Sequence, residues 1–282
     1  MYYLGVDLGG TTIKAGICNE NGDILYKDSC KTVTSEDGER IINDMAALCL
    51  HVMEKCSLGA GDIEYAGIAS PGTADSEQGI IVYACTLPFL NFPITKRLSE
   101  LTGIKRVFVE NDANAAAKGE ATVGAAKGYA NSVMITLGTG VGGGVIINNK
   151  VYSGFNFAGT ELGHIVIVYG GKECTCGRKG CWEAYSSATA LIEQTKEKML
   201  SDNETLMWSL CEQTIEKVGG KTAFTAMKQG DAAAKQVVDQ YISYLACGVV
   251  NIINIFQPEV LSIGGGVSNE REYLTKPLIE IV

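Results

Sequence analysis

Short apolar runs open the chain. Tyr2 to Leu8 reads as a buried strand, Gly9-Gly10 as a tight turn, and Thr11 to Cys18 as a second strand. Asn21-Gly22 is a strong hairpin signal, and Ile24 to Thr32 supplies a third strand. The period then lengthens. Ile41, Ile42, Met45, Leu48, Cys49, Val52 and Cys56 recur at helical spacing between Arg40 and Cys56. Tyr65 to Ala69 is another apolar strand, ended by Ser70-Pro71-Gly72. Val107 to Val109 is one more, and Ala113 to Ala126 is an alanine-rich helix.

The pattern then restarts. Ser132 to Leu137 reads as a strand, Gly138-Thr139-Gly140 as a turn, Gly142 to Asn148 as a strand, and Asn148-Asn149 as a turn into Val151-Tyr152. This mirrors the opening strands and predicts an internal duplication. Helices are predicted from Glu183 to Leu200, near Glu204 to Val218, and from Ala232 to Phe256. Pro258 introduces a strand, Val260 to Ile263, ended by Gly264-Gly265-Gly266. Three antiparallel strands followed by crossover helices, made twice, predict two α/β domains, residues 1–118 and 119–282, with a cleft between them. Ser268 is an N-cap candidate for a last helix with acids at Glu270 and Glu272. Its apolar stripe of Leu274, Leu278, Ile279 and Val282 has no local stop signal, so a terminal segment is expected to be missing.

Composition narrows the classes. A chain of 282 residues with 46% hydrophobic content can bury a sizeable core. A net charge of −9 argues against nucleic acid or an anionic membrane as partner. The apolar run at Tyr241 to Phe256 is interrupted by Asn251 and Asn254 and is too short to span a bilayer. Ten cysteines without a basic, apolar leader predict a reducing compartment, hence a cytoplasmic protein with thiols or metal ligands.

Three of those cysteines are grouped. His164 is followed by Cys174, Cys176 and Cys181, enough for a closed, structural zinc site. Gly177 and Gly180 allow the backbone angles of a loop folded round a metal. Core thiols, or a disulfide with one cysteine left over, are the competing readings. Both fit poorly with the glycines, the charges and the compartment. Glu161 and Glu183 bracket the cluster, which would brace them. His51, on a separate helix, reads as a satisfied or solvated side chain.

Two glycine-rich hairpins are suited to nucleotide phosphates. Asp7, Gly9, Gly10, Thr11, Thr12 and Lys14 form the first, with Asp7 able to hold Mg²⁺ through water. Gly138, Thr139 and Gly140 form the second, and Gly265 with Gly266 gives a third close-approach site, against the adenosine. Val109 to Asn114 delivers Asn111 and Asp112 to a helix start, where the dipole favours an ionised carboxylate. Asp112 then serves either as a base toward a hydroxyl or as a simple helix cap.

Together these motifs resemble the ROK sugar kinases, within the actin/hexokinase superfold of two ribonuclease-H-like domains. The motifs are D-L-G-G-T-T-I-K at Asp7, S-P-G at Ser70, E-N-D-A-N-A-A-A-K-G-E at Glu110, L-G-T-G-V-G-G-G at Leu137, A-G-T-E-L-G-H at Ala158 and C-T-C-G-R-K-G-C-W-E at Cys174. The resemblance implies Asp112 as catalytic base. It implies Asn111, Glu161, His164 and Glu183 as ligands of sugar hydroxyls, with Gly72 approaching through its backbone and His164 serving both zinc and sugar. It implies ATP-dependent phosphorylation of a hexose, glucose first, by a homodimer. The alternatives are fructose, allose or N-acetylmannosamine as substrate, or a sugar-sensing relative without turnover. The family also holds repressors with a DNA-binding helix pair ahead of the first strand, a reading set aside here because the chain starts at that strand. Thr86 and Leu90 depart from the Asn and Trp that glucokinase-like members tend to carry there, so a wider sugar pocket is expected.

Overall fold

Along the first strand, β1 (Tyr2–Leu8), only every second side chain is buried. Leu4, Val6 and Leu8 face the core, while Asp7 stands on the open face of a strand that is half-buried, not fully buried as its apolar run suggests. The structure is a computed structural model that describes residues 1–34 and 37–282. The chain divides into two compact units. The first is Met1–Gly128 with Gly144–Thr160, and the second is Tyr129–Gly143 with Glu161–Val282. The boundary expected between residues 118 and 119 falls inside a single helix of the first unit.

After β1 come β2 (Thr12–Asn19), β3 (Ile24–Lys31), helix α1 (Gly38–Lys55) and β4 (Ile63–Ser70). Then follow β5 (Thr73–Asp75), β6 (Ile80–Tyr83), β7 (Leu90–Phe92), α2 (Ile94–Thr102), β8 (Val107–Asn111) and α3 (Asp112–Val123). The main sheet has the order β3-β2-β1-β4-β8, antiparallel from β3 to β1 and parallel from β1 to β8. Register follows the buried set. Val6 pairs with Ala15 and with Ile68, and Ile68 pairs with Val109. All four are buried. Helix α1 covers this face with Ile41, Ile42, Met45, Cys49 and Val52, each fully buried side chain contributing about 1.5–3 kcal/mol. The sheet of β5, β6 and β7, and helix α2, are absent from the sequence reading. Strands of three or four residues are too short to show an alternation.

The remaining elements are β9 (Ser132–Leu137), β10 (Val141–Ile147), β11 (Lys150–Val151), α4 (Glu183–Ser186), α5 (Ala188–Ser201), α6 (Leu206–Leu210), α7 (Thr222–Lys228), α8 (Ala232–Phe256), β12 (Val260–Gly264) and α9 (Glu272–Ile281). Their sheet has the order β11-β10-β9-β12, with β12 parallel to β9, which repeats β3-β2-β1-β4 and bears out the duplication. The β10–β11 turn is Asn148-Asn149, both at positive φ, as a two-residue hairpin of this twist requires.

Three helices differ from expectation. The segment Glu183 to Leu200 is broken at Ser187, whose side chain caps α5 by accepting from Ala190 N–H. The segment Glu204 to Val218 ends at Leu210, because Glu212 and Gln213 adopt left-handed backbone at φ 50° and 56°. The last helix starts at Glu272 and not at Glu270, because Arg271 sits at φ 53°. In the second unit α8 is the central support. Trp182 is fully buried against Gly248, where a Cβ would collide with the indole, and its Nε1 donates to Tyr244 O at 3.1 Å. Among the described residues, no helix is long and apolar enough to cross a membrane.

Candidate active site

In the first unit the β1–β2 turn is closed by Gly9 N–H donating to Thr12 O at 3.0 Å, and Thr32 Oγ1 donates to Gly9 O at 2.7 Å. The turn presents Asp7 and Lys14 side by side on the open face, with Lys14 Nζ 2.9 Å from Asp7 Oδ2. An exposed pair of this kind adds little stability. A hard carboxylate oxygen of this kind could hold a water-coordinated Mg²⁺, and an ammonium beside it could hold a phosphate.

At the end of β8, Asn111 is the N-cap of α3. Its Oδ1 accepts from Ala113 N–H at 2.9 Å and Asn114 N–H at 3.2 Å, and its Nδ2 donates to Gly72 O at 3.1 Å. Asp112 is the first helical residue, with Oδ1 accepting from Ala113 N–H at 2.8 Å. Asp112 is exposed as a residue, yet enough protein lies around its carboxyl to weaken its hydration. That enclosure raises its pKa above the ordinary aspartate value. The Ala113 N–H opposes the rise, and the negative charge of Asp7 adds to it. Behind the cap, Glu110 Oε1 accepts from Asn111 N–H at 3.0 Å and from Asn114 Nδ2 at 3.1 Å, and Thr160 Oγ1 lies 3.4 Å from Asn114 Oδ1. The sequence reading does not contain this network, because Glu110 belongs to β8 and meets Asn114 of α3 only through the strand-to-helix turn.

In the second unit the four expected metal ligands come together. His164 Nδ1 is 3.6 Å from Cys174 Sγ, Cys176 Sγ is 3.6 Å from Cys181 Sγ, and all four donor atoms lie within 4.8 Å of one another. Thiolates at about 2.3 Å from a tetrahedral zinc are about 3.8 Å apart, so this donor set fits that ion. Gly177 and Gly180 have φ near 84° and 83°, and a Cβ on Gly180 would strike Val168 O. Burial pushes the Cys181 thiol up to about 12, while the Arg178 backbone N–H holds Cys176 below its ordinary value. His51 lies elsewhere, on α1, paired with Asp28 at 3.3 Å.

Glu183, the first residue of α4, leaves the cluster toward the second glycine turn. Its Oε1 is 3.9 Å from Cys174 Sγ and accepts from Thr175 Oγ1 at 3.4 Å, while its Oε2 accepts from Val141 N–H at 2.9 Å. Neither Thr175 nor the Val141 amide is visible as a site group in the sequence. Glu161 is exposed, at the entry to the short turn Leu162–His164, where its carbonyl accepts from His164 N–H at 3.0 Å.

The glycines of the expected phosphate sites divide into two kinds. Gly138 and Gly266 have nothing within 4 Å of where a Cβ would sit, so a ligand can approach them. Gly9 and Gly265 are instead confined by backbone, since their Cβ would meet Thr12 O and Leu137 O, and a Cβ on Gly140 would displace the Glu183 carboxylate. Gly10 lies beside Thr86, and Thr11 is exposed with Thr12 half-buried next to it. Gly72 sits at φ 90° against Tyr83 O. Asp7, Lys14, Gly72, Asn111 and Asp112 thus belong to the first unit, and Glu161, His164, Glu183 and the thiols to the second.

A duplicated mixed sheet with this helical cover defines an α/β protein of the actin/hexokinase type. The ROK family pattern matches residues 3–282, and the chain belongs to that family. It is 40% identical over 280 residues to a glucokinase of Thermotoga maritima, covering 99% of this chain and 86% of that protein. A glucokinase of Halalkalibacterium halodurans is 35% identical over 278 residues, with 98% and 84% covered. The crystal structure of a ROK family glucokinase from Streptomyces griseus, in complex with glucose and AMPPNP, superposes with a TM-score of 0.85 at 33% identity, covering 100% of this chain and 88% of that one.

Proposed function

We propose that this chain is an ATP-dependent hexose kinase that converts glucose to glucose 6-phosphate. The observation that carries this reading is Asp112: a carboxylate at the start of α3, next to Asn111 as the N-cap and with one oxygen on the Ala113 N–H, with its pKa raised and Asp7 close enough to contribute to that rise. A base is most effective when its pKa lies nearer the working pH. Glucokinases 34–40% identical over nearly the whole chain support the substrate, and the Streptomyces griseus glucokinase bound to glucose and AMPPNP supports the donor.

In this mechanism Asp112 accepts the proton of the attacking hydroxyl as its oxygen bonds to the γ-phosphorus. In the first unit Asn111 and the Gly72 backbone offer contacts for sugar hydroxyls, and in the second unit Glu161, His164 and Glu183 offer theirs. Lys14 and the amides of the glycine turns hold the phosphates, so positioning and charge stabilisation supply most of the rate. The bond from the γ-phosphorus to the β,γ-bridging oxygen breaks and ADP leaves; Asp7 would hold Mg²⁺ through water, and the ion would supply neutralisation of the charge on that leaving group. His164, Cys174, Cys176 and Cys181 would hold zinc, which would supply rigidity and no reaction chemistry. His164 presents Nδ1 to the thiols, which leaves Nε2 for a sugar hydroxyl.

The test is a coupled ADP-release assay on a panel of hexoses. Glucose-dependent ADP release that is lost in Asp112→Asn is the expected result. No hexose-dependent ADP release from any sugar, by metal-loaded protein, would overturn the reading and leave a sugar-sensing protein.

A further inference from the structure

The turn Gly138-Thr139-Gly140 is strapped to the segment that follows the thiol loop. Gly138 O accepts from Ala188 N–H at 2.8 Å and Thr139 O from Thr189 Oγ1 at 2.8 Å, while Gly138 N–H donates to Gly140 O at 3.0 Å. In a trans peptide the N–H points opposite to the C=O. With the carbonyls of 138 and 139 directed at α5, the amides of Thr139 and Gly140 are directed away from it, toward any bound anion. The third strap is Glu183, whose Oε2 holds Val141 N–H at 2.9 Å and lies where a Cβ of Gly140 would be.

The same carboxylate is tied to the thiol loop through its other oxygen, beside Thr175 Oγ1 and Cys174 Sγ. Every group in this chain of contacts belongs to the second unit. Cys174 and Thr175 sit in a loop whose backbone is shaped by Gly177 and Gly180, and four ligand atoms converge there. Binding of one zinc would hold Cys174 as a thiolate, which no longer donates to Glu183, and would fix the adjacent Thr175, whose Oγ1 donates to Glu183 Oε1 and so aims the other oxygen at the turn. Without metal the loop loses its main constraint, because a structural zinc supplies the folding energy of such loops.

We infer that Glu183 is a positioning residue through which metal loading of the His164, Cys174, Cys176 and Cys181 cluster sets the affinity of the 138–140 turn for nucleotide phosphate. This rests on the reading of that turn as a phosphate cradle. It assigns the metal loop an effect on nucleotide binding, in addition to the sugar side. Glu183 acts by holding the Val141 amide, so that the two preceding amides are aimed before the nucleotide arrives.

The experiment compares zinc-loaded and chelator-stripped protein, with two readouts. One is ADP affinity by calorimetry, and the other is hydrogen exchange at the Val141 amide. Stripping should weaken ADP binding by about tenfold, the scale of one hydrogen bond to a charged group, and should deprotect Val141. In Glu183→Ala, ADP binding should already be weak, with no further loss on stripping. Glu183→Gln keeps an acceptor for Val141 and should restore both the affinity and its dependence on zinc. Gly140→Ala, which drives the carboxylate off the turn, should behave like Glu183→Ala. If stripping leaves Val141 protection unchanged, or weakens ADP equally in wild type and Glu183→Ala, the inference falls while the kinase reading stands. If Val141 responds to zinc but loaded protein binds no ADP at all, the phosphate-cradle reading falls instead.

Discussion

Asn111, not its neighbour Asp112, caps α3. Asn111 Oδ1 takes the N–H groups of both Ala113 and Asn114, while Asp112 shares only the Ala113 N–H through Oδ1, which leaves its Oδ2 available for a second task. Asn111 also reaches back to Gly72 O, so one side chain fixes the helix, the Gly72 backbone and the direction of Asp112 together.

Asp112→Asn is therefore expected to keep the fold and lower kcat by about 10²–10⁴-fold, the usual worth of a positioned base. The pH dependence follows from the raised pKa. A base works ionised, so the acid limb of kcat/KM should lie at higher pH than an ordinary aspartate gives, and should vanish in the variant. For stability the sign is opposite to that of a salt-bridged acid. The folded state favours the protonated carboxyl, and this contribution is present below the unfolded pKa and lost as pH rises through the folded one. Calorimetry should thus show Asp112→Asn gaining Tm on wild type at neutral pH but not in acid. Near-normal turnover in the variant would remove Asp112 from the mechanism.

Asn111→Ala removes the cap and should cost about 1 kcal/mol, read from denaturant midpoints. Asn111→Asp retains a capping oxygen but cannot donate to Gly72 O. It should keep most of the stability while raising the KM for sugar. Equal loss of stability in both variants would mean that the Gly72 contact, and not the cap, holds this corner.

What was legible in the sequence was what local pattern determines. The apolar run locates β1, though not the alternation that turns only Leu4, Val6 and Leu8 to the core, and cysteine spacing finds the cluster at His164. What was not legible depends on a neighbour supplied by another part of the chain. Gly140 and Gly138 look alike in sequence, yet at one a Cβ would displace the Glu183 carboxylate and the other is open. Arg271 at positive φ and Ser187 as a mid-segment cap are local events that run against residue preference or helical period. The β5–β7 sheet was lost because its strands carry too few residues to show a period.

Elemental analysis should find one zinc per chain. Cys176→Ser should lower zinc content, thermal stability and sugar affinity, because Cys176 pairs with Cys181 while His164 and Glu183 flank the same loop. A metal-free protein with full activity and unchanged Tm would reduce the cluster to core packing.

Specificity should be loose. Thr86 packs beside Gly10, its Cβ 3.6 Å from where a Gly10 Cβ would sit, and a short hydroxyl there reaches less far than an amide. Leu90 is 72% exposed at the start of β7, opposite Tyr83, and lacks the flat face of an aromatic ring. A pocket that hydrogen-bonds every substrate hydroxyl rejects analogues strongly, since a missing hydroxyl leaves a buried group unpaired. A pocket without those arms pays no such penalty. The kcat/KM ratio of glucose over its epimers should accordingly stay below about 10²-fold, and Thr86→Asn with Leu90→Trp should raise it by about tenfold. The wild-type ratio and the double variant are measured in the same ADP-release assay. A wild-type ratio worth several kcal/mol, or a double variant with no gain, would place discrimination elsewhere in the site.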